Sequence, residues 1–174
     1  MRHIKILAVS LFASLLLSGC GSKGPTFVVE KKIKPASGKF TIDGQPPGSD
    51  HVVVIKLYPK GRAPKPGEVV QTKVEADGKF AFSTYVAGDG APEGEYLMCW
   101  ESLTIVPFSK VLVGPDRFKN NFSNPVSQDQ KYSLTVSAQN KESVAIPPID
   151  VKMADLVDME PHQFSTPLTV SEAR

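Results

Sequence analysis

Apolar and polar residues alternate with a period of two in segment after segment of this chain, and almost nowhere with the period of a helix. Val53, Ile55 and Leu57 fall on one side of a β-prone run at residues 51–58, with Val52, Val54, Lys56 and Tyr58 on the other. Val70, Thr72 and Val74 precede Asp77-Gly78, and Phe80, Phe82 and Thr84 follow it. Asp-Gly between alternating β-formers predicts a hairpin, because a type I′ turn needs positive φ at both central residues. Phe40 and Ile42 lead to a second Asp-Gly at 43–44, and Tyr96, Met98 and Trp100 share one face. Residues 102–113 are apolar enough for another strand, Tyr132, Leu134 and Val136 alternate, and Ile149 with Val151 predicts the last strand. Stretches rich in turn residues at 59–67 and 88–94, and a polar one at 116–125, separate these runs. A strand that alternates in this way buries one face only against a second layer. The expected fold is therefore an all-β, antiparallel β-sandwich of about seven strands at residues 36–152.

The start of the chain follows a different rule. Arg2 and Lys5 precede an apolar run at residues 6–17, interrupted only by Ser10 and Ser14. A basic start and a short apolar stretch make a secretory signal, too short to cross a bilayer, which takes about 20 apolar residues. The run ends Leu17-Ser18-Gly19-Cys20. This resembles the lipobox of bacterial lipoproteins: an aliphatic residue and two small ones before a Cys. Leu17 is too bulky for the small-residue pattern of an ordinary cleavage site. The resemblance implies a signal peptide at 1–19, cut before Cys20, with a lipid on the Cys20 thiol. Residues 20–35 then form a tether, basic at Lys23, Lys31, Lys32 and Lys34. Several acyl chains together hold a protein firmly on a membrane. The expected location is the cell envelope, and Gly21, in place of the Asp that marks inner-membrane retention in some bacteria, favours the outer membrane.

The signal also accounts for the charge. The formal net charge of +2 equals the contribution of Arg2 and Lys5, so the chain from Cys20 onward is neutral. Phosphate binding needs clustered Lys and Arg, so no nucleic-acid partner is expected. With Cys20 lipidated, Cys99 has no second thiol for a disulfide and reads as a small apolar packing residue.

A resemblance sharpens the fold. Val74-Glu75-Ala76-Asp77-Gly78-Lys79-Phe80-Ala81-Phe82, then Pro92-Glu93-Gly94-Glu95-Tyr96, is similar to the carboxypeptidase-regulatory-like domains. Gly38-Lys39-Phe40 and Asp43-Gly44-Gln45-Pro46 match the first hairpin of that family. Gly114-Pro115-Asp116-Arg117-Phe118-Lys119 and Phe122-Ser123-Asn124-Pro125 resemble a stretch in small bacterial lipoproteins built on it. The resemblance implies a transthyretin-like, Ig-like sandwich and a non-catalytic module. The chain departs from the family at Cys99, in the Pro-rich loop before Val70, and in continuing past Lys152. That extension, 153–174, holds Asp155, Asp158, Glu160 and Glu172 against Arg174. Leu156, Val157 and Met159 precede Pro161, and Leu168-Thr169-Val170 is suited to pair with an exposed edge, so a frayed terminus and a docked one are both open.

Few residues carry chemistry. Glu75, Asp77, Asp89 and Glu93 lie in two loops, but turn chemistry explains both Asp without a metal. His51 and His162 lack partners at ligand spacing. No Ser sits in a nucleophile elbow and no pair of carboxylates is marked, so neither an enzyme nor a cofactor is expected. Arg117, Phe118 and Phe122 mark a candidate binding loop for a protein or glycan partner in the envelope, with a packed loop as the commoner arrangement. The function these readings imply is a membrane-anchored, non-catalytic binding or structural module. The alternatives are a carbohydrate- or peptide-recognition module and an accessory subunit of an envelope hydrolase.

Overall fold

The computed structural model describes residues 32–49, 52–105, 112–126, 132–140 and 142–161. The signal, Cys20, most of the tether, His51, His162 and Leu168-Thr169-Val170 lie outside them. The described chain is almost wholly β. In order it forms β1 (Ile33–Lys34), β2 (Ala36–Ile42), β3 (Val52–Pro59), β4 (Val70–Lys73), β5 (Lys79–Ala81) and β6 (Ala91–Pro92). It continues with β7 (Gly94–Ile105), β8 (Leu112–Val113), β9 (Ser133–Val136), β10 (Val144–Ala145) and β11 (Ile149–Val151), then a 3-10 turn at Met153–Asp155.

The longer sheet is built on β3 and β7. They pair antiparallel from Val52↔Leu103 to Pro59↔Tyr96. β4 lines the free side of β3. β9 and β8 follow one another along the far side of β7, at Gly94 to Leu97 and at Thr104 and Ile105. The second sheet centres on β2, with β5 antiparallel on one side. On the other side lie β10 and then β11, both parallel to β2. Pro147 and Pro148 separate these two, because proline has no N–H to give to a ladder. β1 and β6 form a small antiparallel pair.

This arrangement is the expected sandwich with two corrections. The sheet of β2 is mixed, not purely antiparallel: alternation fixes which side chains face inward and is blind to strand direction. The Asp77-Gly78 turn also does not join a paired hairpin, since β4 pairs with β3 and β5 with β2. The Gly78 N–H donates to the Glu75 carbonyl at 2.9 Å and the Glu75 N–H to the Lys79 carbonyl at 2.8 Å. Only Gly78, at φ 86°, is left-handed there. That is a type I turn followed by a left-handed glycine, not type I′. A side chain at Gly78 would also lie 2.5 Å from the Phe40 carbonyl oxygen. The turn carries the chain from one sheet to the other. The type I′ geometry occurs instead at Asp43 and Gly44, with φ of 49° and 79°.

Between the sheets lies one apolar core. Phe40, Phe80, Phe82, Ile149 and Val151 come from the sheet of β2; Val53, Ile55, Leu57, Met98, Trp100, Leu134 and Val136 come from the other. Phe40 meets Trp100 edge-on at 6.0 Å. The outer face of the β3–β7 sheet is buried too: Val54, Lys56, Tyr58, Cys99 and Glu101 are all nearly inaccessible.

β11 is locked to β2 by one carboxylate. Asp150 Oδ1 accepts from Thr41 Oγ1 and the Gly44 N–H, both at 2.8 Å, and Oδ2 meets Lys152 Nζ at 2.7 Å. The Lys152 ammonium first, then the Gly44 N–H and the Thr41 hydroxyl, hold the Asp150 carboxyl down at about 2. An unfolded Asp titrates near ~3.9. A depressed carboxylate stabilises the fold above its unfolded pKa and loses that contribution as pH falls through its folded one. Urea midpoints of wild type and Asp150→Asn are therefore expected to differ at pH 6 and to converge as pH falls from about 4 toward 2. A pH-independent difference would contradict this role.

Candidate functional site

The loop after β8 is built around Asp116. Its Oδ1 accepts the Ser102 N–H at 2.7 Å and the Phe118 N–H at 3.0 Å, and its Oδ2 accepts the Asn120 N–H at 3.2 Å. The Arg117 N–H donates to the Ser102 carbonyl at 2.9 Å. These bonds pin the loop to β7. Burial raises the Asp116 carboxyl above its ordinary value, in opposition to these donors. The chain then reverses through two left-handed residues, Lys119 (φ 52°) and Asn120 (φ 60°). Asn visits this region readily; Lys does so at a cost that the surrounding bonds offset.

This reversal decides where the candidate binding residues go. Phe118 points inward and is fully buried, 6.0 Å from Phe40 and 6.1 Å from Phe122. Phe122 stacks on Trp100 at 4.9 Å, and Tyr132 meets Trp100 edge-on at 4.5 Å. Arg117 remains exposed. Phe118 thus belongs to the core and Phe122, partly buried, packs against it, which is the packed-loop arrangement for these two rings. Burying the Phe118 ring is worth more than presenting it to water.

What the loop presents outward is polar. The Asn121 side chain donates from Nδ2 to the Val157 carbonyl at 2.6 Å and accepts the Val157 N–H at Oδ1 at 3.3 Å. Asn120 Nδ2 donates to the Met159 carbonyl at 2.7 Å, and the Met159 N–H donates to the Lys119 carbonyl at 3.2 Å. Lys119 Nζ lies 3.6 Å from Asp158. The first part of the C-terminal extension is docked, not frayed. Leu156 packs against the core on the way.

The two aspartates of the earlier loops are spent locally. Asp77 accepts from the Lys79 N–H and pairs with its ammonium at 2.6 Å. Asp89 accepts the N–H groups of Thr84, Tyr85 and Val86 at 2.6, 2.8 and 3.1 Å. Desolvation works against that charge, yet these donors leave the carboxyl below its ordinary value. Among the described residues, no group of three His, Cys, Asp or Glu is placed to hold a metal ion.

Sequence reasoning passed over a buried ion pair. Lys56 Nζ lies 3.0 Å from Glu101 Oε2, with side-chain exposures of 4% and 7%. The two sit diagonally across β3 and β7, beside Cys99. Burial, then the Glu101 carboxylate, pushes the Cys99 thiol up to about 12. It stays protonated and unreactive at neutral pH. The signal was a Lys inside the most β-prone run of the chain, on the side shared with Val52, Val54 and Tyr58.

No family model matches the sequence, and no curated protein or solved structure matches it. The geometry alone distinguishes the outward face of residues 119–121: three residues that grip an extended backbone.

Proposed function

We propose that the chain is a lipid-anchored envelope protein whose sandwich, of the carboxypeptidase-regulatory-like kind, serves as a non-catalytic binding or structural module. The observation that carries this is Leu17-Ser18-Gly19-Cys20 at the end of a short apolar run. A tether from Cys20 would be shorter than the expected 20–35, because β1 at Ile33–Lys34 already pairs with β6 and the Glu93 N–H donates to the Lys32 carbonyl. No helix among the described residues is long and apolar enough to cross a membrane.

The peptide-recognition reading gains from the site. With Phe118 in the core and Phe122 stacked on Trp100, neither ring stands free as a platform for a sugar. Its Asn side chains instead meet main-chain amides.

The test is Cys20→Ala in a bacterial host. The expected result is an unprocessed precursor that retains residues 1–19 and incorporates no labelled fatty acid. Mature-sized, lipid-free protein in the soluble fraction would show that an ordinary signal peptidase acts here and that Cys20 has no anchoring role.

A further inference from the structure

Residues 157–159 are held almost wholly through their main chain. Val157 and Met159 each have both the N–H and the carbonyl engaged by residues 119–121. Alternate residues bonded through their main chain are the signature of an extended strand. The side chains of Val157 and Met159 take no part: Val157 is 63% exposed and Met159 is 42% exposed. The grip therefore reads backbone, as in strand addition, with little dependence on the side chains at 157 and 159. Two features add selectivity. Leu156, just before the gripped segment, packs against the core, and Asp158 faces the Lys119 ammonium.

We propose that residues 119–121 form a docking clip for extended acidic peptides, and that the chain's own residues 157–159 are a displaceable resident. The clip deepens the binding-module reading by naming a site and a ligand class. The partner it fits is an extended segment with an apolar residue followed two positions later by an acid. It binds with the polarity of the resident strap: the apolar side chain goes against the core and the acid beside Lys119. Between them, Asn121 takes both main-chain groups of the intervening residue.

The resident strap is a competitor in cis. A segment tethered this closely acts at an effective concentration of about a millimolar or more. A peptide in trans is thus excluded until the strap is loosened. The strap's own hold is modest, because an exposed ion pair and bonds at the surface contribute little. The result is a site that is closed in the isolated chain and opens to a partner strand.

The test uses the full chain and a synthetic, end-blocked peptide with the sequence of residues 154–161. Val157→Pro with Met159→Pro removes both strap donors without deleting a residue. The fluorescently labelled peptide is expected to bind this released chain at least about tenfold more tightly than wild type, since the cis competitor is gone. Asn121→Ala in the released chain is expected to abolish that gain, and a peptide with Lys at the Asp158 position should bind several-fold more weakly. As a check that needs no variant, wild-type chain in about millimolar peptide should show faster amide exchange at Val157 and Met159, with β3 unchanged. Equal affinity for released and wild-type chains, indifference to Asn121→Ala, or unaltered exchange at those amides would overturn the proposal. Each of these outcomes leaves the Cys20 fractionation result untouched, so the clip and the anchor fail separately.

Discussion

Phe118→Ala is expected to destabilise the sandwich by about 3–5 kcal/mol, the range for removing a buried phenyl ring from a packed core. The ring is wholly inaccessible and touches Phe40 and Phe122. Phe122 in turn stacks on Trp100, so the cavity would open beside the largest buried side chain of the domain. Arg117→Ala, one residue away but exposed, is expected to change stability by less than about 1 kcal/mol. Urea unfolding followed by Trp100 fluorescence separates the two. A Phe118→Ala variant as stable as wild type would mean that the ring is not part of the core. Any loss of binding in Phe118→Ala has to be read through this destabilisation.

The second large effect concerns Lys56 and Glu101. Removing one partner strands the other charge in a buried site, at a cost of about 3–5 kcal/mol. Glu101→Leu and Lys56→Met should each show such a loss. Replacing both with these apolar side chains together removes the desolvation cost of two ions, so the double variant is expected to be close to wild type or more stable by about 1–4 kcal/mol. The double-mutant cycle should therefore return a large coupling energy. Additive single effects would mean that the side chains do not meet at 3.0 Å in solution. The pair also fixes the register of β3 on β7, since a one-residue slip would turn Lys56 toward the core.

The sequence disclosed this fold unevenly, and the reasons are physical. Val53, Ile55 and Leu57 point inward and Tyr96, Met98 and Trp100 meet them, as alternation requires, because side-chain direction in a strand is local. Strand partners are not local. Asp77-Gly78 marks a turn correctly, yet nothing in the adjoining residues states that β4 and β5 belong to different sheets. The parallel lie of β10 and β11 against β2 is hidden for the same reason. At the candidate site, the polar run around residues 116–121 was legible as a loop, but its handedness was not. Two left-handed residues, Lys119 and Asn120, turn the aromatics inward and the amides outward. The docked extension depends on contacts 36 and 39 residues apart in sequence, beyond the reach of any local pattern.

The proposed anchor lies at the N-terminal end of the chain and the proposed clip on the loop after β8. The most direct measurement is the intact mass of the protein extracted from envelope membranes. A chain that begins at Cys20 and carries a diacylglyceryl group on that residue is the predicted result. An unmodified chain, or one cut at any other bond, would contradict it.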